Sequence, residues 1–207
     1  MNARERILMK AQELFNCLGI RRVTMDEIAV KTGMSKKTIY QSFENKDELV
    51  QAVLEEHLKK NLSLCGLNKT KAENAVHEIL LNIDTLQEFL AELNPVLFHD
   101  LEKFHYEAFS KLSQHKNNFM YNTVKENLEW GIKEGLYRED LDVDVTTKIR
   151  LENIFLPFNQ EIFPFRKYNL VDVEKQTLEH YLYGIATLKA HKLIDKYKQQ
   201  RLKTKLK

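Results

Sequence analysis

The sequence has little of what a β-sheet protein needs at its turns. It contains only 6 glycines and 3 prolines in 207 residues, too few to end the many short strands of a sheet-rich fold. Its N-terminus is charged and lacks the apolar core of a secretory signal. No apolar run approaches the roughly 18 residues that a membrane span needs. We therefore expect an all-α protein located in the cytoplasm, with no membrane partner.

Metal-binding and catalytic motifs are absent as well. Cys17 and Cys65 have neither metal-site spacing nor the pattern of a disulfide framework, and the histidines lack the spacing of a zinc site. The sequence contains no nucleophile elbow, phosphate-binding loop or paired carboxylates. We expect two reduced thiols, no metal, no cofactor and no enzymatic activity. A helical enzyme that uses His99 and Asp100 is the alternative from another functional class.

The small net charge of +2 is unevenly distributed. The segment from Lys189 to Lys207 carries +7, so the remainder of the chain carries −5. Within this acidic remainder, the stretch from Arg21 to Lys46 has a local charge of +3. A basic patch in an acidic body is where a polyanion would bind. The basic C-terminal end is most simply a solvated, fraying terminus, with attraction to DNA or membranes as the alternative.

The N-terminal quarter has the periodicity and caps of three short helices followed by a fourth. A single apolar stripe predicts a helix from Ala3 to Leu18 that ends at a left-handed Gly19. Thr24 with Glu27 forms the pattern of a capping box for a second helix that ends at Gly33. Ser35 is placed to cap a third helix, from Lys36 to Ser42, and Asn45 with Glu48 a fourth that runs towards Leu62.

The third helix is short, and its outward face is polar. Helical geometry directs Ile39 and Phe43 inward together and Lys37 and Gln41 outward, with Thr38 and Tyr40 on the flanks. Two helices joined by a tight glycine turn, the second of them polar outside, form a helix-turn-helix whose second helix enters the major groove. A plain corner of a helical bundle is the alternative from periodicity alone.

Residues 24–29 (TMDEIA), 32–35 (TGMS), 38–43 (TIYQSF) and 45–49 (NKDEL) together resemble the DNA-binding signature of the TetR family. The resemblance runs without a gap over residues 3–54. It implies a three-helix DNA-binding domain at residues 1–47, a helical ligand-binding and dimerisation domain at residues 48–207, and a homodimer. Carried over position by position, it places DNA contacts at Thr24, Ser35, Lys36, Lys37, Thr38, Tyr40, Gln41, Ser42 and Lys46.

The rest of the chain reads as further amphipathic helices. We predict them at Lys69–Leu93, Pro95–Lys103, His105–Glu134, Val145–Phe158 and Val173–Lys198. The last of them resembles the final helix of the family, which implies a dimer interface at Tyr181, Leu182, Ile185 and Leu188. Packing within one chain would produce the same apolar stripe, so both readings stay open.

The C-terminal part is also rich in aromatic residues. An apolar cavity lined by them would suit an apolar or aromatic small-molecule effector, with ordinary core packing as the alternative for each residue. The candidate pocket residues are Phe89, Phe98, Phe119, Trp130, Phe155 and Phe158. Together these features predict a transcription regulator, a repressor that such an effector releases from a palindromic operator in double-stranded DNA. Non-specific DNA packaging is the alternative use of the same basic patch.

Overall fold

The computed structural model describes residues 1–205, with side chains described through Arg201. Over this range the chain forms eleven α-helices and no strand, which confirms the predicted all-α fold. A π-helical turn, Lys116–Met120, joins the seventh and eighth helices, and a 3-10 turn, Leu156–Phe158, follows the ninth. The helices are α1 (Ala3–Leu18), α2 (Met25–Thr32), α3 (Lys36–Ser42), α4 (Lys46–Lys71), α5 (Ala75–Glu92), α6 (Val96–Phe104), α7 (Tyr106–His115), α8 (Tyr121–Lys133), α9 (Val143–Phe155), α10 (Leu170–Ile185) and α11 (Leu188–Lys205).

The helices form two compact units. The first unit contains residues 1–62 and 91–115, and the second contains residues 63–90 and the chain from Lys116 onwards. The boundaries of these compact units differ from the predicted domain boundary between residues 47 and 48. That boundary separates the DNA-binding part from the ligand-binding part of the chain, and it stays a prediction. Each unit has its own core of buried apolar side chains. No helix in the described part of the chain is long and apolar enough to cross a membrane.

The predicted N-caps of α2 and α3 are present, and of the predicted capping box the Thr24 side is formed. The Thr24 hydroxyl accepts a hydrogen bond from the Glu27 N–H at 3.1 Å, and Ser35 Oγ accepts one from the Thr38 N–H at 3.1 Å. Gly33 ends α2 in the left-handed conformation, with φ 68° and ψ 28°. Each such cap stabilises its helix by about 0.5–2 kcal/mol. Local sequence therefore sets where α2 and α3 begin.

Gly19 differs from the expected helix stop. Its φ of 80° is positive, but its ψ of 157° takes the chain into an extended path instead of a left-handed turn. The residue is buried, and a Cβ there would lie 3.2 Å from Asp100 Oδ2. The glycine is therefore required both by its backbone angle and by the close approach of this carboxylate.

The boundary between α4 and α5 was predicted wrongly. The fourth helix runs nine residues past Leu62, to Lys71, and the fifth begins at Ala75 instead of Lys69. The stretch after Leu62 contains no proline, and Leu64, Leu67, Lys69 and Lys71 favour a helix, which offsets the weaker propensity of Gly66 and its polar neighbours. The chain breaks where the Asn74 side chain accepts a hydrogen bond from the His77 N–H at 2.9 Å and caps α5.

The predicted helix from Val173 to Lys198 is two helices. Ala186 is extended, with φ −75° and ψ 145°, and it pairs with Tyr137 in an isolated antiparallel bridge. The Thr187 N–H donates to the Leu136 carbonyl at 2.9 Å, and the Arg138 N–H donates to the Ile185 carbonyl at 2.9 Å. These bonds to a distant segment replace helical ones, which is why periodicity did not reveal the break.

Two smaller corrections concern the helices around α8 and α9. The helix predicted from His105 to Glu134 is divided into α7 and α8 by the π-helical turn. The ninth helix begins two residues before the predicted Val145, because the Asp142 carboxylate accepts the Val145 N–H at 3.0 Å. It ends at Phe155, where Pro157 places the chain in a 3-10 turn.

Candidate nucleic-acid interface

The second and third helices form a helix-turn-helix with a rigid turn. The Met34 N–H donates to the Ala29 carbonyl at 3.0 Å, which closes the turn around Gly33. Ile39 and Phe43 are 0% and 1% exposed, so the inward face of α3 is anchored in the core as predicted. Burial of each such side chain stabilises the fold by about 1.5–3 kcal/mol. The orientation of α3 is therefore fixed by apolar packing on one side and leaves the other side for a ligand.

The outward face of α3 carries the predicted contact residues. Lys37 and Gln41 are exposed, and Tyr40 is half exposed. An ammonium, an amide and a phenol at successive positions of one helix face can meet phosphates and base edges. Thr38 is only partly exposed and accepts or donates a hydrogen bond with Ser35 through the two hydroxyls, 2.9 Å apart.

Lys36 has a partner that sequence reasoning missed. Its Nζ lies 2.5 Å from Oδ2 of Asp26, in the first turn of α2, and this contact raises the pKa of Lys36. Both side chains are mostly exposed, so salt weakens the pair. A phosphate must compete with Asp26 for this ammonium. Lys36 therefore links the two helices in addition to any contact with DNA.

Ser42 is also engaged within the protein. Its hydroxyl donates to the Thr38 carbonyl at 3.1 Å, one helical turn earlier. Ser35 likewise serves as the N-cap of α3. Both hydroxyls keep acceptor capacity, and their assigned DNA contacts stay predictions.

Lys46 lies at the first residue of α4, beside the loop between α1 and α2. Its Nζ donates a long hydrogen bond of 3.5 Å to the Arg21 carbonyl. Burial lowers the pKa of Lys46, while the charges of Asp100 and Asp47 oppose this shift. The partial positive charge of the α4 N-terminus adds to that of the ammonium. A phosphate at the start of α4 would therefore meet both the Lys46 ammonium and the helix N-terminus.

The six predicted pocket aromatics do not all belong to one unit. Phe98 lies in the first unit, edge-on to Phe109 with ring centroids 5.9 Å apart. The other five lie in the second unit, where Phe89 is 39% exposed and the Lys116 ammonium lies 5.0 Å from the Phe155 ring centroid. Their role as a ligand pocket stays a prediction.

The second unit contains a polar groove between the start of α8 and α9. It encloses about 420 Å³ and is crossed by hydrogen bonds from Tyr121 and Lys148 to Asp144, at 2.6 and 2.7 Å. Lys116 pairs with Glu152 in the same groove at 2.7 Å. The charged side chains of this groove are thus paired with one another. Its lining is polar, unlike the apolar lining that we expect for the effector pocket.

Three of the four predicted dimer residues lie in the core of their own chain. Tyr181, Leu182 and Ile185 are 7%, 1% and 4% exposed, whereas Leu188 is 82% exposed. The burial of these three side chains fits packing within the second unit, and the dimer contacts assigned to them stay a prediction. Val145 and Ile149, one turn apart on α9, are 50% and 53% exposed and offer the more accessible apolar surface.

Metal-binding side chains do not cluster in the part of the chain whose side chains the structure describes, through Arg201. Within it, no group of three or more His, Cys, Asp or Glu side chains is arranged to hold a metal ion. Cys17 is exposed and Cys65 partly buried, and both are free thiols. Burial raises the pKa of the Cys65 thiol to about 11, which keeps it protonated and unreactive near neutral pH.

Comparisons with known proteins agree with this geometry. Residues 7–53 match the family "Bacterial regulatory proteins, tetR family". The uncharacterized HTH-type transcriptional regulator YvaF of Bacillus subtilis is 28% identical over 136 residues, which are 65% of this chain and 66% of YvaF. The alignment thus spans just under two thirds of that relative.

Two solved structures have the same fold at lower identity. The transcriptional regulator FadR from Bacillus subtilis, in complex with stearoyl-CoA, superimposes with a TM-score of 0.70 at 23% identity, over 87% of this chain and 98% of that one. The SmeT–triclosan complex superimposes with a TM-score of 0.68 at 17% identity, over 90% of this chain and 92% of SmeT. At these identities the likeness concerns the fold.

Proposed function

This chain belongs to the TetR family of bacterial regulatory proteins, and on that premise we propose that it regulates transcription by binding double-stranded DNA as a homodimer. The observation that carries this proposal is the anchored third helix, which turns Lys37, Tyr40 and Gln41 outward while Ile39 and Phe43 hold it in the core. A rigid, polar helix after a tight turn is the geometry that enters a major groove.

A two-fold dimer would present two such helices to the same side of a duplex. Their target is then a pseudo-palindrome whose half-sites are about 34–36 Å apart, one turn of the double helix. In this proposal Gln41 and Lys37 contact base edges, and Thr24, Tyr40 and Lys46 contact phosphates. The proposal also implies a cytoplasmic location, where the DNA is.

We further propose that the protein is a repressor released by a small molecule bound in its C-terminal domain. Two proteins of this fold are complexes with stearoyl-CoA and triclosan, which supports an apolar or aromatic effector for this chain. Release requires that the effector bind the DNA-free conformation more tightly than the DNA-bound one. The six predicted aromatic residues remain the proposed contacts.

Selection of bound DNA from a random duplex library tests the DNA-binding proposal. Purified protein at a stated salt concentration is expected to recover one inverted repeat. Recovery of no common sequence, with affinity that depends on salt alone, would contradict it and favour non-specific packaging.

Two variants then test the assigned contacts separately. Gln41→Ala should change the preference at one base position by about 1–3 kcal/mol. Lys46→Ala should weaken binding evenly across sequences and reduce the salt slope by about one unit. Lys175→Ala, which removes an exposed charge from α10, is the matched control. An unchanged sequence preference for the first variant, or an unchanged slope for the second, would remove that residue from the interface.

A further inference from the structure

The loop between α1 and α2 is held by residues that lie about eighty positions downstream. Asp100, in α6, is 3% exposed, and its Oδ2 accepts a hydrogen bond from the Arg21 N–H at 2.9 Å. The same carboxylate oxygen lies 3.2 Å from where a Cβ at Gly19 would be. A buried carboxylate aimed at one backbone N–H forms a strong, charge-assisted hydrogen bond.

Arg21 is fixed at two further points. Its carbonyl accepts the 3.5 Å hydrogen bond from Lys46 Nζ. Its guanidinium lies over the Phe104 ring, with Cζ 5.2 Å from the ring centroid. The backbone N–H, the backbone carbonyl and the side chain of this one residue are thus each held by a different partner. Arg21 itself remains exposed.

The backbone of the surrounding loop is held by buried side chains and hydrogen bonds. Ile20 and Val23, on either side, are 2% and 0% exposed. The Val23 N–H donates to the Ile20 carbonyl at 3.2 Å, and Asn94 Nδ2 donates to the Cys17 carbonyl at 3.0 Å. The loop is therefore pre-organised, and an arginine presented by it binds an anion at a lower entropy cost than one on a mobile loop.

We propose that Arg21 is a phosphate-binding residue next to Lys46, and that Asp100 and Phe104 are the positioning residues that hold the two cations in place. This inference rests on the proposed DNA-binding function. Arg21 supplies a planar fork of donors that matches a phosphate, and Lys46 supplies a point charge at a helix N-terminus. Asp100 bonds the Arg21 N–H, and the Arg21 carbonyl in turn accepts the hydrogen bond from Lys46 Nζ, so one carboxylate holds both cations through the Arg21 backbone.

Three variants separate the hydrogen bond of Asp100 from its charge. Asp100→Ala removes both and is expected to reduce the salt slope of duplex binding by about one to two units, because one or two phosphate contacts are lost. Asp100→Asn keeps an oxygen acceptor and should leave the slope unchanged. It should also bind about two- to fivefold more tightly, since a negative charge near the phosphates is gone. Glu102→Ala removes an exposed charge from the same helix and should leave the slope unchanged.

Hydrogen exchange of the free protein gives a readout that does not depend on DNA. The Arg21 amide should exchange faster in Asp100→Ala and stay protected in Asp100→Asn. If Asp100→Ala does not fold, Phe104→Ala replaces it as the test variant. Phe104 is 52% exposed, so its truncation should leave the core intact. It should weaken duplex binding and leave the Arg21 amide protected.

The slope is measured both on a selected operator and on a scrambled duplex, at about 50–200 mM salt. A wild-type protein that selects no sequence refutes the proposed function, while a slope reduced by Asp100→Ala on the scrambled duplex still supports this inference. An unchanged salt slope in Asp100→Ala would overturn the proposed role of Arg21, and so would a salt slope reduced equally in Asp100→Ala and Asp100→Asn. A wild-type protein that binds neither duplex would also overturn it.

Discussion

Replacing Gly131 by alanine is expected to destabilise the protein more than any other glycine-to-alanine change in its helices. A Cβ at this position would lie 2.0 and 2.1 Å from Cδ2 and Cε2 of the Tyr137 ring, whereas carbon atoms in contact need about 3.5–4.0 Å. Either the tyrosine or the backbone of α8 must move by more than an ångström.

The position of Tyr137 is fixed by complete burial and by two hydrogen bonds. It is 0% exposed, its hydroxyl donates to Asn127 Oδ1 at 3.2 Å, and its N–H donates to the Gly131 carbonyl at 3.0 Å. Overpacking of a core costs about 1–3 kcal/mol, and a displaced buried hydrogen bond costs about 1–3 kcal/mol more. The free energy of unfolding should therefore fall by about 2–6 kcal/mol, and Tm by about 5–20 °C for a chain of this size.

Urea unfolding followed by circular dichroism measures this change. Gly66→Ala is the matched control, because Gly66 is an exposed glycine of α4 and no described atom outside its own helical neighbourhood lies within 4 Å of a Cβ built there. That change should stabilise the protein by about 0.5–1 kcal/mol through helix propensity. If the two variants unfolded at similar urea concentrations, the close packing of Tyr137 on Gly131 would be refuted.

Three further predictions concern the second unit. Burial raises the pKa of Glu78, so its stabilisation is present below the unfolded-state pKa of about 4.3 and is lost as pH rises through the folded pKa. Glu78→Gln, which keeps an acceptor for Asn127, should flatten the decrease in the free energy of unfolding as the pH rises above about 4.3; parallel pH curves would contradict this. Ile149→Glu should leave the monomer folded and weaken dimerisation in analytical ultracentrifugation, and an unchanged dimer would exclude this face of α9. The Tyr181 hydroxyl is buried without a hydrogen-bond partner in the described structure, so the free energy of unfolding of Tyr181→Phe, measured in urea, should equal or exceed that of the wild type. Tyr137→Phe, which removes the hydrogen bond to Asn127, should lower it by about 1–3 kcal/mol. Equal decreases in the two variants would refute the distinction.

The candidate interface was predictable to the extent that its determinants are local. Thr24 and Ser35 cap their helices from three residues away, and Ile39 with Phe43 faces inward because of helical periodicity. The exposed positions Lys37 and Gln41 follow from the same geometry. What spacing did not reveal is the ion pair between Lys36 and Asp26, because the angle between α2 and α3 decides whether two charges ten residues apart can meet.

The C-terminal part was less predictable, because its apolar stripes are compatible with several partners. The stripe at Tyr181, Leu182 and Ile185 is compatible with a dimer contact and with packing inside one chain, and periodicity did not reveal that these side chains are buried in their own unit. The break at Ala186 also has no local signal. It arises from hydrogen bonds to Leu136 and Arg138, about fifty residues earlier in the chain.

The sequence by itself thus determined the helical class, the helices α1 to α3 and the polar outward face of α3, since caps, glycine turns and apolar periodicity act within one or two helical turns. Only the tertiary structure decided that Asp100 bonds the Arg21 N–H, that Tyr137 packs on Gly131, and that the last helical segment divides in two. Each of these depends on groups far apart in the chain meeting within a few ångströms, and such meetings are set by the packing of the whole unit.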